Sequence, residues 1–195
     1  MSADIREGAL MRLFTIFFLI YFATVTIIKA SVFRIHGEGG GNLRDNWTFP
    51  TTFASYLVVV MGSLAEFFLR NPQVNLWVSL LGYLLATAGV VITRRCVFAL
   101  GRWWSVRIET KKDHQVVREG PYRVSRHPYY LATLLELGGL CLILNSYRTF
   151  LYLALIHLPL VVARITSEER ILTASLGTSY LEYKRSVRVL PFPCD

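Results

Sequence analysis

Long apolar runs alternate with shorter polar segments along the whole chain, and this pattern predicts helices that cross a membrane. The apolar runs cover residues 13–28, 53–69, 74–93, 129–145 and 149–163. A helix needs roughly 20 apolar residues to cross the hydrocarbon core. We therefore expect the first run to continue past Lys29, whose long side chain can reach the interface. The pattern predicts an all-α integral membrane protein with five transmembrane helices.

Proline and paired charges mark where the predicted helices stop. Asn71-Pro72 ends the second run, and Arg94-Arg95 is expected to end the third unless the helix continues to Leu100. The fourth and fifth runs are joined by the short polar stretch 145–148, so we predict an antiparallel helical hairpin there.

Beyond the fifth run the chain becomes amphipathic and then polar. The helix is expected to run on to about Leu176, because the glycine that follows, Gly177, is a common helix end. The tail from Tyr180 onwards predicts a polar-aromatic cap. We divide the chain into an N-terminal region of three transmembrane helices, residues 1–104, and a catalytic region, residues 105–195.

Basic residues are concentrated on one side of the predicted bundle, and this sets its orientation. With five crossings and the N-terminus outside, 17 of the 21 lysines and arginines fall on the inner, cytoplasmic side, in agreement with the positive-inside rule. The net charge of +8 then indicates attraction to an anionic inner leaflet. No nucleic-acid-binding motif accompanies it, so we expect membrane lipids as partners and no nucleic acid.

Composition supports a membrane protein and gives no sign of a metal site. Hydrophobic residues make up 53% and charged residues 17% of the chain, which is more apolar than an ordinary soluble domain. The three cysteines, Cys96, Cys141 and Cys194, are scattered and show no zinc-binding spacing with histidine. We therefore predict no metal ligands.

The polar segment 114–131, between the third and fourth runs, is the first candidate for a binding site. Gly120-Pro121 and His127-Pro128 predict two fixed bends, since proline fixes φ and disfavours helix in the residue before it. Between the bends the segment offers a phenol and two guanidinium groups, from Tyr122, Arg123 and Arg126. Such a loop suits an anionic or adenosine-bearing ligand. The alternative is a basic loop that rests on lipid headgroups.

A second group of polar side chains follows the fifth run. Arg164 and Glu168 lie four residues apart and so share a helix face. They form either a simple intrahelical ion pair or a site in which Arg164 holds a substrate carboxylate and Glu168 a cationic cofactor. Within the apolar runs, Glu136 is expected to face protein or water because a lipid-facing carboxylate is costly. His157 is expected to be a core histidine with satisfied hydrogen bonds.

A set of short motifs is spread over residues 114–192. It consists of Gly120-Pro121-Tyr122, Arg126-His127-Pro128, Tyr130, Glu168-Glu169, Leu172, Gly177, Tyr180, Tyr183 and the ending Leu190-Pro191-Phe192. As a set these motifs resemble the isoprenylcysteine carboxyl methyltransferase family, and the phospholipid N-methyltransferases share many of them. One departure is Ala132, where the family pattern usually has glycine. The three N-terminal helices carry no matching motif.

The resemblance implies a membrane enzyme that uses S-adenosylmethionine and has no Rossmann domain. It implies a catalytic pair, Arg164 and Glu168, in which Arg164 orients the substrate carboxylate. The cofactor-binding residues that it implies are His114, Gln115, Val116, Val117, Tyr122, Arg126, His127, Pro128, Tyr129 and Glu168. The methyl acceptor implied is a prenylated cysteine or a similar lipidic acid. The short chain favours a prokaryotic cell membrane, with the endoplasmic reticulum expected in a eukaryote.

Three other functions stay open on the sequence. A phospholipid or amine N-methyltransferase would share the fold, but its acceptor would need a base to remove a proton. A reductase related to the sterol reductases has a similar C-terminal pattern and would bind NADPH, although such chains are much longer. A non-catalytic membrane adaptor would bind neither cofactor.

Overall fold

The computed structural model describes residues 3–36, 42–43, 47–70, 74–105, 109–110 and 115–189, and within them the chain is helical apart from one short strand pair. The helices are α1 (Ala3–His36), α2 (Thr48–Arg70), α3 (Leu76–Leu100), α4 (Pro128–Ile143), α5 (Tyr147–Tyr152), α6 (Leu158–Leu176) and α7 (Thr178–Ser186). Strands β1 (Asn42–Leu43) and β2 (Glu109–Thr110) pair antiparallel, with Asn42 opposite Thr110. The predicted all-α class is confirmed.

Four helical segments are long and apolar enough to cross a membrane. They are Gly8–Val32, Thr48–Arg70, Leu76–Trp103 and Tyr147–Leu176. Helix α4 is apolar but has 16 residues, fewer than the roughly 20 that a crossing requires. The structure thus supports the first, second, third and fifth predicted spans, and a crossing by the fourth run stays a prediction.

The helix ends follow the local signals in the sequence. Helix α2 ends at Arg70, just before Asn71-Pro72. The side chain of Asn75 caps α3 by accepting hydrogen bonds from the amides of Trp77 and Val78, which supplies partners for the first orphan N–H groups. Arg94-Arg95 does not stop α3, since its apolar face continues to Leu100 before a left-handed glycine ends the helix. Helix α6 ends as predicted, at a glycine with φ of 57°.

Helices α3 and α4 form the most extensive helix contact among the described residues, and their backbones approach closely. A Cβ added to Gly82 would lie 2.7 Å from the carbonyl oxygen of Gly139, and one added to Gly89 would lie 2.7 Å from that of Ala132. Small residues allow helix backbones to approach closely where no hydrophobic effect drives association. Ala132, which replaces the family's glycine, is fully buried in this contact.

The predicted hairpin of the fourth and fifth runs is only a minor part of the packing. Helix α4 lies mainly against α3, and its contact with α5 is much smaller. Helix α5 continues into α6 through a π-helical turn, Leu153–His157. Pro159 lies just beyond the turn, where it has no N–H to donate and its ring would collide with the carbonyl of Leu155. A widened turn at this point accommodates the proline.

An ion pair joins the first helix to this core. Lys29 of α1 contacts Glu136 of α4 at 2.5 Å, and Thr93 of α3 donates to the other carboxylate oxygen at 2.6 Å. Lys29 was expected to reach the membrane interface, but its partner lies inside the protein. The expectation that Glu136 faces protein is confirmed.

Candidate active site

A cavity of about 320 Å³ lies between the helices and the C-terminal segment. We group its lining residues by the elements that supply them. The cap arm is the group from the 115–127 segment, the end of α6 and α7, which comprises Gln115, Val116, Val117, Tyr122, Arg126, His127, Glu168, Leu172, Leu176, Tyr180 and Tyr183. The bilayer arm is the group from α1, α2, α4 and the middle of the α5–α6 helix. Its residues are Lys29, Phe49, Thr52, Phe53, Tyr56, Tyr129, Thr133, His157, Val161 and Arg164.

One face of the α5–α6 helix runs along both arms. Its cavity-lining residues recur every three or four positions, at His157, Val161, Arg164, Glu168 and Leu172, which is the spacing of a single helix face. Along this face Arg164 is the last residue of the bilayer arm and Glu168 the first of the cap arm. The structure therefore brings the two predicted catalytic residues to the same wall of one cavity.

Arg164 is held in place although it is almost completely buried, with 4% of its surface exposed. One guanidinium nitrogen donates to the hydroxyl of Thr48 at 3.2 Å. The guanidinium carbon lies 5.4 Å from the centre of the Phe49 ring, a cation–π distance. The hydroxyl of Tyr130 interacts with both Arg164 and Glu168. Contacts from α2 and α4 thus fix the direction of the guanidinium.

Glu168 presents a carboxylate oxygen that no described residue binds. Its Oε2 atom is buried and has no hydrogen-bond partner among the described residues. The Nδ1 atom of the His127 ring lies 3.7 Å from this oxygen. A buried acceptor without a partner is costly, so this oxygen is suited to a donor or a cation brought by a ligand.

The neighbouring Glu169 has a different task, which is to fasten the C-terminal segment. Its oxygens contact Arg126 at 2.9 Å, Lys184 at 2.7 Å and the His127 ring at 3.3 Å. Arg126 also donates to the carbonyls of Lys184 and Val187. These contacts tie α7 to the 115–127 segment, and the role of the C-terminal segment as a cap stays a prediction. Arg126 and His127 act as its anchors while they also line the cavity.

Buried tyrosines join the same cap to the 120–123 turn. Tyr183 donates to the carbonyl of Tyr122 at 2.6 Å. Burial raises the pKa of Tyr183 to about 12, and burial likewise raises the pKa of Tyr122 and Tyr180 above the usual value. These phenols therefore stay neutral hydrogen-bond donors at physiological pH.

Most of the predicted site residues meet in this cavity, although their roles stay predictions. Residues on the cavity wall are Gln115, Val116, Val117, Tyr122, Arg126, His127, Tyr129, Arg164 and Glu168. Pro128 starts α4 and is buried, but it does not line the cavity. His114 lies outside the described residues.

The sequence analysis missed the contribution of the first two helices. Lys29, Thr52, Phe53 and Tyr56 line the bilayer arm, although the N-terminal helices carry no motif. The available signal was a lone lysine and a lone glutamate in different apolar runs, since such charges need partners.

The expectation that His157 has all its hydrogen bonds satisfied is not met. One of its ring nitrogens is buried and has no hydrogen-bond partner in the described part of the chain.

Helices α3, α4 and α6, which supply part of the cavity wall, lie in the part of the chain that matches a known family. The model of the isoprenylcysteine carboxyl methyltransferase (ICMT) family matches residues 77–174, from the start of α3 to near the end of α6. This is half of the chain. The protein belongs to the ICMT family. The predicted resemblance is confirmed, and the match begins earlier than the motif set at 114–192.

Three similar proteins align with 80% to 95% of the chain. Protein-S-isoprenylcysteine O-methyltransferase A of Arabidopsis thaliana is 28% identical over 191 residues, which cover 95% of this chain and 93% of that protein. Protein-S-isoprenylcysteine O-methyltransferase of Saccharomyces cerevisiae is 28% identical over 187 residues, covering 90% and 74%. The cobalt-zinc-cadmium resistance protein CzcN of Cupriavidus metallidurans is 30% identical over 158 residues, covering 80% and 70%.

Proposed function

We propose that this ICMT-family protein is an S-adenosylmethionine-dependent methyltransferase that methylates the carboxylate of a prenylated cysteine or a similar lipidic acid. The observation that carries the proposal is the placement of Arg164 and Glu168. They lie one turn apart on a single helix face, share contact with Tyr130, and stand between an arm walled by the cap and an arm walled by membrane helices.

The side chains that line the cap arm suit S-adenosylmethionine. The unused oxygen of Glu168 suits the amino group or the positive charge of the cofactor. Neutral tyrosine rings surround it, and aromatic faces attract cations. When bound, the cofactor supplies an electrophilic methyl group on a sulfonium.

Arg164 would position the acceptor carboxylate from the bilayer arm. A carboxylate is already a nucleophile, so no residue has to remove a proton. The bound cofactor would supply its methyl group to one carboxylate oxygen, and the electron pair of the sulfur–carbon bond would stay on sulfur. The products would be a methyl ester and S-adenosylhomocysteine. Since positive and negative charge cancel along the reaction, a water-poor site does not oppose it, and alignment is the main task.

The membrane arrangement follows from the charge pattern and the helices. We propose that the chain crosses the membrane five times, with α4 as a crossing in addition to the four long apolar helices. The N-terminus would lie outside and the cavity at the cytoplasmic face. Residues 1–104 would build part of the acceptor arm, and 105–195 would form the catalytic region. The names of the Arabidopsis and yeast relatives support a prenylcysteine substrate. The location proposed is a prokaryotic cell membrane, or the endoplasmic reticulum in a eukaryote, with membrane lipids as neighbours.

The cofactor class is tested by calorimetric titration of the detergent-solubilised protein with S-adenosylhomocysteine and, separately, with NADPH. We expect micromolar binding of the first alone. Binding of NADPH alone would indicate a reductase. Glu168→Gln is expected to weaken S-adenosylhomocysteine binding about 10- to 100-fold, as for a lost charge-assisted hydrogen bond. The control, Glu182→Gln, changes a largely exposed side chain and should bind normally.

The role of Arg164 is tested by Arg164→Ala, with farnesyl-cysteine analogues as acceptors. We expect kcat/KM to fall at least about 100-fold while S-adenosylhomocysteine affinity stays within about twofold, since a buried charge contact to the acceptor is lost. Arg170→Ala, on the exposed side of the same helix, is the matched control. Unchanged turnover in Arg164→Ala would refute its assignment to the carboxylate.

A further inference from the structure

One buried imidazole among the residues of the bilayer arm has a ring nitrogen without a partner in the described part of the chain. His157 is 1% exposed and lines the cavity. Its Nδ1 atom shares a hydrogen bond with the hydroxyl of Ser55 at 3.0 Å, and its Nε2 atom has no partner among the residues that the structure describes. Buried polar atoms are rarely left without a partner, so Nε2 is matched to a group that enters the arm.

The ring is fixed by its surroundings. His157 ends the π-helical turn Leu153–His157, and such turns often occur at functional sites because they re-aim a side chain. Ser55 also contacts the hydroxyl of Tyr152 at 3.2 Å. A chain of hydrogen bonds from Tyr152 through Ser55 therefore holds the imidazole in one orientation. Pre-oriented groups of this kind serve recognition better than mobile ones.

The position of His157 relative to Arg164 defines where on the acceptor this contact would fall. The two residues are seven apart on one helix face, with Val161 between them. At 1.5 Å per residue this places them about 10 Å apart along the axis. If Arg164 holds the acceptor carboxylate, His157 lies beside the lipid chain, well beyond a cysteine thioether. An unsubstituted isoprenoid offers no hydrogen-bonding group there.

Other polar groups line the same arm. Lys29, Thr52, Tyr56 and Thr133 contribute to its wall, and the Lys29 amine lies 5.7 Å from the centre of the Tyr56 ring. Three of them already bond within the protein: Lys29 to Glu136, Thr52 to the carbonyl of Thr48, and Thr133 to the carbonyl of Tyr129. The Nε2 atom of His157 differs from them because it is buried and has no partner among the described residues, and an unsatisfied buried polar atom costs free energy.

We propose that the acceptor is a lipidic acid with a hydroxyl or carbonyl group on its apolar chain, about 10 Å from the methylated carboxylate, and that His157 selects it by a hydrogen bond from or to Nε2. This inference rests on the proposed function, because it takes Arg164 as the carboxylate site. It narrows the substrate class from any prenylcysteine-like acid to an oxygen-bearing one.

The test compares two acceptors that differ in one group. The first is N-acetyl-S-farnesylcysteine, and the second carries one hydroxyl at the same distance from the carboxylate as His157 lies from Arg164. We expect wild-type kcat/KM to be about tenfold higher for the hydroxylated acid, the effect of one hydrogen bond in a buried site. His157→Leu should abolish the preference and His157→Gln should retain part of it. Equal rates, or a preference for the plain acid, would overturn the proposal.

A binding measurement separates this inference from the proposed function. Quenching of tryptophan fluorescence reports acceptor binding without turnover, since Trp103 and Trp104 line the cavity. If S-adenosylhomocysteine binds but neither acid is methylated, the proposed reaction fails, and the affinity ratio of the two acids still decides the role of His157. Failure of both acids to bind would also refute it. Leu155→Val, in the same turn but 62% exposed, is the matched control and should keep the wild-type ratio.

Discussion

Lys29 of α1 and Glu136 of α4 form an ion pair at 2.5 Å although they are 107 residues apart in the chain. Both side chains are largely buried, at 17% and 9% exposure. Lys29 also lines the cavity. The pair therefore anchors the first helix to the α3–α4 core and sets one wall of the bilayer arm.

Removal of one charge of the Lys29–Glu136 ion pair should lower the stability of the protein far more than removal of both charges. Lys29→Met leaves a carboxylate buried without its cation, and we expect a loss of about 3–5 kcal/mol in stability. Lys29→Met/Glu136→Gln should recover most of it, since the neutral amide can still accept the hydrogen bond from Thr93. Thermal unfolding in detergent measures both. A double variant as unstable as the single one would contradict this account.

The close approach of α3 and α4 predicts opposite effects at two adjacent glycines. A Cβ at Gly139 would lie 2.6 Å from the amide nitrogen of Ala86, whereas one at Gly138 would meet only a ring carbon of Phe150 at 3.7 Å. Gly139→Ala should therefore force the helices apart and lower stability by about 1–3 kcal/mol. Gly138→Ala should be neutral or stabilising by up to about 1 kcal/mol, from helix propensity. Equal unfolding midpoints for the two variants would argue against the contact.

Glu169 should control how firmly the cap is attached. Glu169→Ala removes the shared partner of Arg126, His127 and Lys184, so the cap should open locally more often. We expect trypsin to cut after Lys184 about tenfold faster, a change of about 1.4 kcal/mol in the opening equilibrium. The control is Glu182→Ala, whose pair with Arg118 at 3.8 Å is exposed and contributes little. Similar cleavage of both variants would show that Glu169 does not fasten the cap.

The hydrogen bond of Tyr183 should make the cap sensitive to alkaline pH. Its folded-state pKa of about 12 lies above the ordinary value of 10.0, so the bond contributes fully below pH 10.0 and is lost as pH rises through about 12. Tyr183→Phe should cost about 1 kcal/mol at pH 8. The stability difference between wild type and this variant should narrow between pH 10 and 12. Unfolding midpoints across this range measure it, and a constant difference would contradict the assignment.

Local features of the sequence determined the helices and the family. Apolar runs set where helices form because a backbone in lipid must bond to itself, and Asn71-Pro72 and Gly177 ended helices as predicted. The motif set around Tyr122, Arg126 and Glu168 identified the family because these residues lie in short, recognisable segments. Such signals depend only on neighbours in the chain.

The tertiary structure alone decided how the helices pair and what the cavity contains. The apolar runs are hydrophobic on all sides, so no polar face in the sequence shows that α4 turns toward α3. The contacts of Lys29 with Glu136 and of His157 with Ser55 join residues about a hundred positions apart, a separation over which local pattern carries no information. Close packing of small residues and the need to satisfy buried polar atoms determine these pairings, and both arise only when helices meet.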